Sequence, residues 1–230
     1  MITDQQQRGS TMKVTALFVT AILSCATVGM ADDDTTTAAT SDFVKPDSWE
    51  AFVAYHQRGG DFGAWESRGK TVKLWEGIPG GLDYTLSFTI SLAHDGKNML
   101  QTHYMATSTG QVISTGSILR YWDNKSKSVL SSHSGFDQGQ LYTGHSELVG
   151  IDASTQTTKW KYTEDSRGKT ADFFLTIQRK GPNKRWEVHQ LASGGEPWNY
   201  EVVRATASAA DPGLGRRALQ RLRGLLRRRR

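Results

Sequence analysis

The chain has 230 residues, one cysteine and a formal charge of +5, with 37% hydrophobic residues, enough to bury a core. The charge is unevenly placed. Residues 32–212 carry 18 Lys and Arg against 22 Asp and Glu, a net of −4, and eight arginines follow Pro212. This distribution excludes a basic nucleic-acid-binding domain.

Residues 1–31 read as an export signal. Met12-Lys13 starts a basic region, Val14 to Leu23 is nearly all apolar, Gly29-Met30-Ala31 supplies small residues for cleavage, and Asp32-Asp33-Asp34 comes next. The apolar run is about half the length of a membrane-spanning helix. A second processing route is open, because Ile22-Leu23-Ser24-Cys25 resembles a lipoprotein box in which Cys25 is acylated. The expected location is therefore periplasmic or extracellular, with or without a lipid anchor at Cys25. Past the signal there is no cysteine, so disulfides and thiolate chemistry are excluded there.

Residues 32–45 form an acidic, Thr- and Ala-rich leader. Pro46-Asp47-Ser48-Trp49 begins a short helix, capped by Ser48 or Asp47 and stopped by Gly59-Gly60. Trp49, Phe52, Val53 and His56 recur at helical spacing. So short a helix is stable only when packed, and it is expected to plug the open end of a barrel.

Past the helix the period becomes two. Tyr84, Leu86, Phe88, Ile90 and Leu92 alternate with Asp83, Thr85, Ser87, Thr89 and Ser91. Strands are expected at 66–76, 83–93, 97–107, 111–122, 126–134, 139–150, 156–164, 169–180, 184–192 and 198–204. Turn residues part them, as in Phe136-Asp137-Gln138-Gly139, Asp165-Ser166-Arg167-Gly168 and Gly181-Pro182-Asn183. Sequential strands with short connections pair as neighbours. The expected fold is thus all-β: a ten-stranded, up-and-down antiparallel barrel over residues 46–206, with one short N-terminal helix. A curved sheet folded over the helix is the alternative, but it needs more helix than this chain offers.

Gly63-Ala64-Trp65 comes after the helix and opens the first strand, and Arg204 closes the last after Trp198-Asn199-Tyr200-Glu201-Val202-Val203. This resembles the calycin superfamily, the lipocalins and their fatty-acid-binding relatives. The middle of the chain is similar in layout to secreted bacterial lipocalin-like proteins. The resemblance implies that Gly63 and Trp65 start the barrel and that Arg204 packs over the Trp65 ring as a cation–π pair. Ten strands are closer to the fatty-acid-binding architecture than to the eight of lipocalins.

The candidate ligand residues are Trp75, Phe88, Tyr104, Arg120, Trp122, His133, His145, Trp160 and Tyr162, with Phe174 as a further aromatic to inspect. Arg120 could grip a carboxylate bidentately, as in the fatty-acid-binding relatives. If the Phe136–Gln138 loop closes a regular hairpin, Val129 sits opposite His145, and His133 and His145 share a face. On the inner face, with Tyr104 or Glu147, these histidines could bind a metal or haem, or act as acid and base. No compact ligand spacing supports a metal, and no cofactor is expected. Ser132-His133 and His145-Ser146 are neighbours on opposite strand faces, so neither forms a catalytic dyad. No nucleophile elbow, phosphate loop or dinucleotide fingerprint occurs.

The expected function is binding of a small, largely apolar molecule inside the barrel. A barrel enzyme using interior His or Glu is the first alternative, and a side-chain-filled envelope protein without ligand is the second. The tail at 207–230 is basic. As a helix it would align Leu214, Ala218, Leu222 and Leu225 among arginines, a pattern suited to an anionic membrane surface. As a disordered tail it would have no such role.

Overall fold

The computed structural model describes residues 42–93 and 95–206. The expectations for the signal, Cys25, most of the leader and the arginine-rich tail lie outside these residues. Helix α1 (Trp49–Arg58) precedes ten strands: β1 (Gly63–Lys70), β2 (Asp83–Leu92), β3 (Asn98–Ala106), β4 (Val112–Asp123), β5 (Ser128–Asp137), β6 (Gln140–Asp152), β7 (Thr157–Ser166), β8 (Lys169–Arg179), β9 (Lys184–Leu191) and β10 (Trp198–Arg204). Each strand pairs antiparallel with its chain neighbours. Pairing of β1 with β10, through Trp65–Arg204 and Glu66–Val203, closes the barrel. Closure removes the two edge strands that an open meander would expose.

The alternation in β2 maps onto the barrel wall, with Tyr84, Leu86, Phe88 and Ile90 buried and Thr85, Ser87, Thr89 and Ser91 exposed. Two hairpins turn on two residues, both at positive φ: Gln138-Gly139 (48° and 79°) and Arg167-Gly168 (54° and 74°). That geometry is the tight primed turn whose twist suits a hairpin, and it fixes the register of β5–β6 and β7–β8.

The first strand is shorter than its sequence suggests. It ends at Lys70 rather than running to residue 76, and 71–82 is an irregular segment. Ile78-Pro79-Gly80-Gly81 cannot continue a ladder, because proline lacks the donor and Gly81 takes φ of 83°. Thr71 ties the segment's ends together. Its hydroxyl donates to the Pro79 carbonyl at 2.6 Å and accepts from the Leu82 amide at 3.0 Å. Val72, Leu74 and Ile78 pack on the core instead of extending the wall.

Helix α1 covers the opposite end. Ser48 caps it by accepting from the Ala51 amide at 3.1 Å. Phe52 is fully buried and meets the Trp160 ring edge-on at 6.0 Å. A buried polar clasp fixes this plug. Asp61 receives hydrogen bonds from Arg179 Nε (3.1 Å) and Nη2 and lies 2.6 Å from His56 Nδ1, while the Arg179 guanidinium stacks on Tyr55 at 3.9 Å. Burial pushes the Asp61 carboxyl up, but the bonds from His56 and Arg179 outweigh it and hold the group well below the usual carboxylate range. Burial pulls the His56 ring down, against the bond and charge of Asp61.

The Gly63–Trp65 and Arg204 arrangement is present as geometry. The Arg204 guanidinium lies 4.1 Å from the Trp65 ring centre and donates to the carbonyls of Phe62 and Gly60. Trp65 Nε1 donates to the Asp61 carbonyl at 2.9 Å.

Candidate ligand-binding cavity

Between the helical plug and the 71–82 segment lies a cavity of about 210 Å³. Its lining is mixed. Leu86, Phe88, Met105, Trp160, Phe173 and Leu175 supply apolar wall, interleaved with arginines, histidines, tyrosines and carboxyls.

At the helix end two arginines enter the barrel. Arg120 is 6% exposed; its Nη2 donates to Gln101 Oε1 at 3.0 Å, its guanidinium lies 5.2 Å from the Trp160 ring centre, and Nη1 has no partner among the described residues. Burial first, then the charge of Arg185, pulls Arg120 down to about 10, which leaves it charged at neutral pH. Arg185 lies over the Trp65 and Phe88 rings and reaches Glu187 Oε1 at 2.5 Å. Burial pushes Glu187 up, but Arg185 and the bonds from His189 and Tyr200 win and hold it down at about 2. Glu187 therefore pairs with Arg185, and Arg120, which feels the charges of Glu187 and Asp61 only at longer range, has no carboxylate at ion-pair distance among the described residues.

A hydrogen-bonded chain runs from that ion pair toward the cavity's middle. Tyr200 donates its hydroxyl to Glu187 Oε2 at 2.9 Å, His189 Nε2 lies 2.9 Å from Tyr200, and His189 Nδ1 lies 3.1 Å from the Tyr162 hydroxyl. Because Tyr200 spends its one proton on Glu187, His189 must donate to Tyr200 through Nε2. The acid thus decides that this ring nitrogen carries a proton. Across the barrel His103 Nε2 meets Ser114 at 3.0 Å and Tyr142 at 3.3 Å. Burial holds His103 and His133 down at about 4, with His145 and Arg120 adding to the effect on His133. Both rings are neutral at physiological pH, and His133 Nε2 has no partner among the described residues.

At the other end stand two carboxyls. Burial raises Asp137 to about 6 against opposing bonds from Ser114, and burial with the charges of Asp137 and Asp165 raises Glu164 to about 8. Trp75 Nε1 is a further buried donor without a partner among the described residues, in a ring packed edge-on to Phe173 at 6.0 Å.

Of the residues expected from sequence, Trp75, Phe88, Arg120, His133, Trp160 and Tyr162 line the cavity. Trp122 packs on the core outside that lining. Four expectations are corrected. His145 is on the outer face and exposed, since the two-residue turn pairs it with Ser132 rather than Val129 and puts His133 opposite Gly144. One extra residue in the assumed loop flips every side chain across the sheet. Tyr104 is 44% exposed on the outer wall, because β3 places His103 and Met105 inward. Glu147 is outside too, bonded to Lys45 at 2.5 Å. In β8 it is Phe173, not Phe174, that faces the cavity; Phe174 packs with Lys159 at 5.0 Å.

Sequence reasoning missed Gln101, Asp137, Glu164, Arg185, Glu187 and Tyr200. Strand β9 shows why: it is inverted, with Arg185 and Glu187 buried and Trp186 and Val188 only partly covered on the other face. A rule that puts the apolar set inside fails there. One available signal was the trio Gly116, Gly135 and Gly144 inside strand patterns, since strand glycines mark close approach. A Cβ on Gly116 or Gly135 would meet the Tyr142 hydroxyl at 2.3 or 2.5 Å, and one on Gly144 would meet His133 Nε2 at 2.2 Å. The glycines make room for the polar layer.

Comparison with known proteins finds no matching family model and no matching curated protein.

Proposed function

We propose that this barrel is a calycin-type carrier that binds a small, largely apolar molecule, holding a carboxylate or other anionic group of it at Arg120. The observation that carries this reading is the unpaired guanidinium. A buried cation without a counter-ion is costly, and an anionic ligand group would remove that cost while meeting Nη1. The aromatic and aliphatic wall would desolvate the rest of the ligand. At about 210 Å³ the cavity is smaller than the roughly 300–1,000 Å³ that takes drug-sized ligands, so a short-chain or single-ring acid fits better than a long lipid. Export through residues 1–31 and contact of the tail with an anionic membrane surface belong to the same proposal, on sequence pattern alone.

The test is titration of the intrinsic tryptophan fluorescence with octanoate and benzoate, since Trp160 lies beside Arg120. Saturable binding that weakens at least about tenfold in Arg120→Leu, and is unchanged in His145→Ala, supports the reading. Lack of saturation with a panel of acids would remove it. A second reading, acid–base chemistry on a bound compound, is favoured by one observation: Glu164 is shifted to about 8, within range of a general acid at neutral pH. Turnover of an enolisable ketone probe that is lost in Glu164→Gln would select it.

A further inference from the structure

The cavity's two ends differ in charge. Arg120 and Arg185 stand at the helix end against the single carboxylate of Glu187. Asp137 and Glu164 stand at the end covered by 71–82. Neither forms an ion pair among the described residues. Between the ends lies a belt of histidines and tyrosines. Asp137 is 5% exposed, and the backbone of Gly77 closes over it so tightly that a Cβ there would come within 3.0 Å of the Asp137 Cβ. Resting on the carrier reading above, we infer that the ligand is dipolar, with its anionic group at Arg120 and a cationic amine at Asp137 and Glu164.

Two independent features point the same way. Arg120 is a buried cation lining this cavity, with no ion-pair partner and with Nη1 unbonded among the described residues. At the far end, buried Asp137 and partly buried Glu164 face one cavity, and neither has an ion-pair partner among the described residues. The Ser114 bond and the charge of Arg167 favour the Asp137 carboxylate, whereas the charges of Asp137 and Asp165 oppose that of Glu164. An ammonium between them would replace repulsion with two attractions in a medium where charges interact strongly. The two ends are well separated: Asp137 pairs with Ser114, six residues from Arg120 on β4, about 20 Å along the strand, so no one small group meets both and the ligand's two charges must lie at its opposite ends.

Isothermal titration with aminooctanoate and octanoate, each in two buffers of different ionisation enthalpy near neutral pH, tests this. The expected result is that aminooctanoate binds at least about tenfold more tightly and releases close to one proton per ligand, as Glu164 ionises to meet the amine. Glu164→Gln and Asp137→Asn should erase that advantage and the proton release, with far-UV circular dichroism showing that the variants are folded, whereas His145→Ala on the outer face should change neither. Octanoate binding as tightly as aminooctanoate would overturn the dipolar ligand and leave the carrier reading standing. If neither binds, the carrier reading itself fails.

Discussion

The imidazole of His133 lies over the bare α-carbon of Gly144, its partner across the β5–β6 ladder. A Cβ on Gly144 would sit 2.2 Å from both His133 Nε2 and the Thr163 carbonyl. Gly144→Ala should therefore cost about 1–3 kcal/mol, the usual range for overpacking. His133→Ala should relieve only part of it, since the carbonyl cannot move away. Chemical denaturation of the two single variants and the double variant reads this. Full additivity would mean that the ring and the glycine are not coupled.

The Asp61–Arg179–His56 clasp joins the helical plug to the wall at β8. Asp61→Asn leaves the Arg179 guanidinium without its carboxylate, so a loss of about 3–5 kcal/mol is expected. The pH dependence has a definite sign. Asp61's folded value is depressed, so its contribution is present above the ordinary carboxylate range and lost as pH falls through and below it. Acid unfolding of the native protein should be steeper than that of Asp61→Asn. Superimposable acid limbs would show that the clasp carries no linkage.

Glu164 acts in the opposite direction. Its folded value of about 8 lies above the ordinary 4.5, so the folded protein holds a proton the unfolded chain has released, and stability falls as pH rises toward and through 8. Between about pH 6.5 and pH 8.5 the loss should be about 2 kcal/mol. His103 and His133 do not mask it, because their depressed values of about 4 make stability rise with pH only below their unfolded value of 6.5. Glu164→Gln should flatten the alkaline slope in thermal melts. An unchanged slope would mean that Glu164 is not the group responsible.

Trp65 and Arg204 make the closing pair of the barrel. Trp65→Ala should cost about 3–5 kcal/mol as a buried large-to-small change. In Arg204→Lys the cation remains, but one ammonium cannot hold both the Phe62 and Gly60 carbonyls over the ring, so an intermediate loss of about 1–2 kcal/mol is expected. Equal melting temperatures for Arg204→Lys and the native protein would show that the guanidinium fork is dispensable.

The fold was legible because its signals are local. A two-residue period in 83–92, turn residues between strands, Ser48 as cap and Gly59-Gly60 as stop each act within a few residues, and each stands where expected. The strand count and the up-and-down order come from short connections alone. The cavity was only half legible. Phe88, Trp160 and Tyr162 carry their apolar or aromatic character into it, and Arg120 shared its side of the strand with Ile118. His145 was misplaced by the length of a single turn, and Tyr104 stands on the outer face of its strand.

By itself the sequence determined the period, the breaks and the number of strands, because backbone preference and side-chain spacing are properties of neighbours in the chain. Tertiary structure alone decided which face of each strand turned inward. Barrel closure transmits one parity around all ten strands, from the Trp65–Arg204 pair through to Trp198–His189, and a strand such as β9 must obey it even when its polar set is the one that goes inside. Arg185, Glu187 and Arg120 share one small cavity because the closed ladder leaves them no other face, and the ion pair and hydrogen bonds they find there make that burial tolerable.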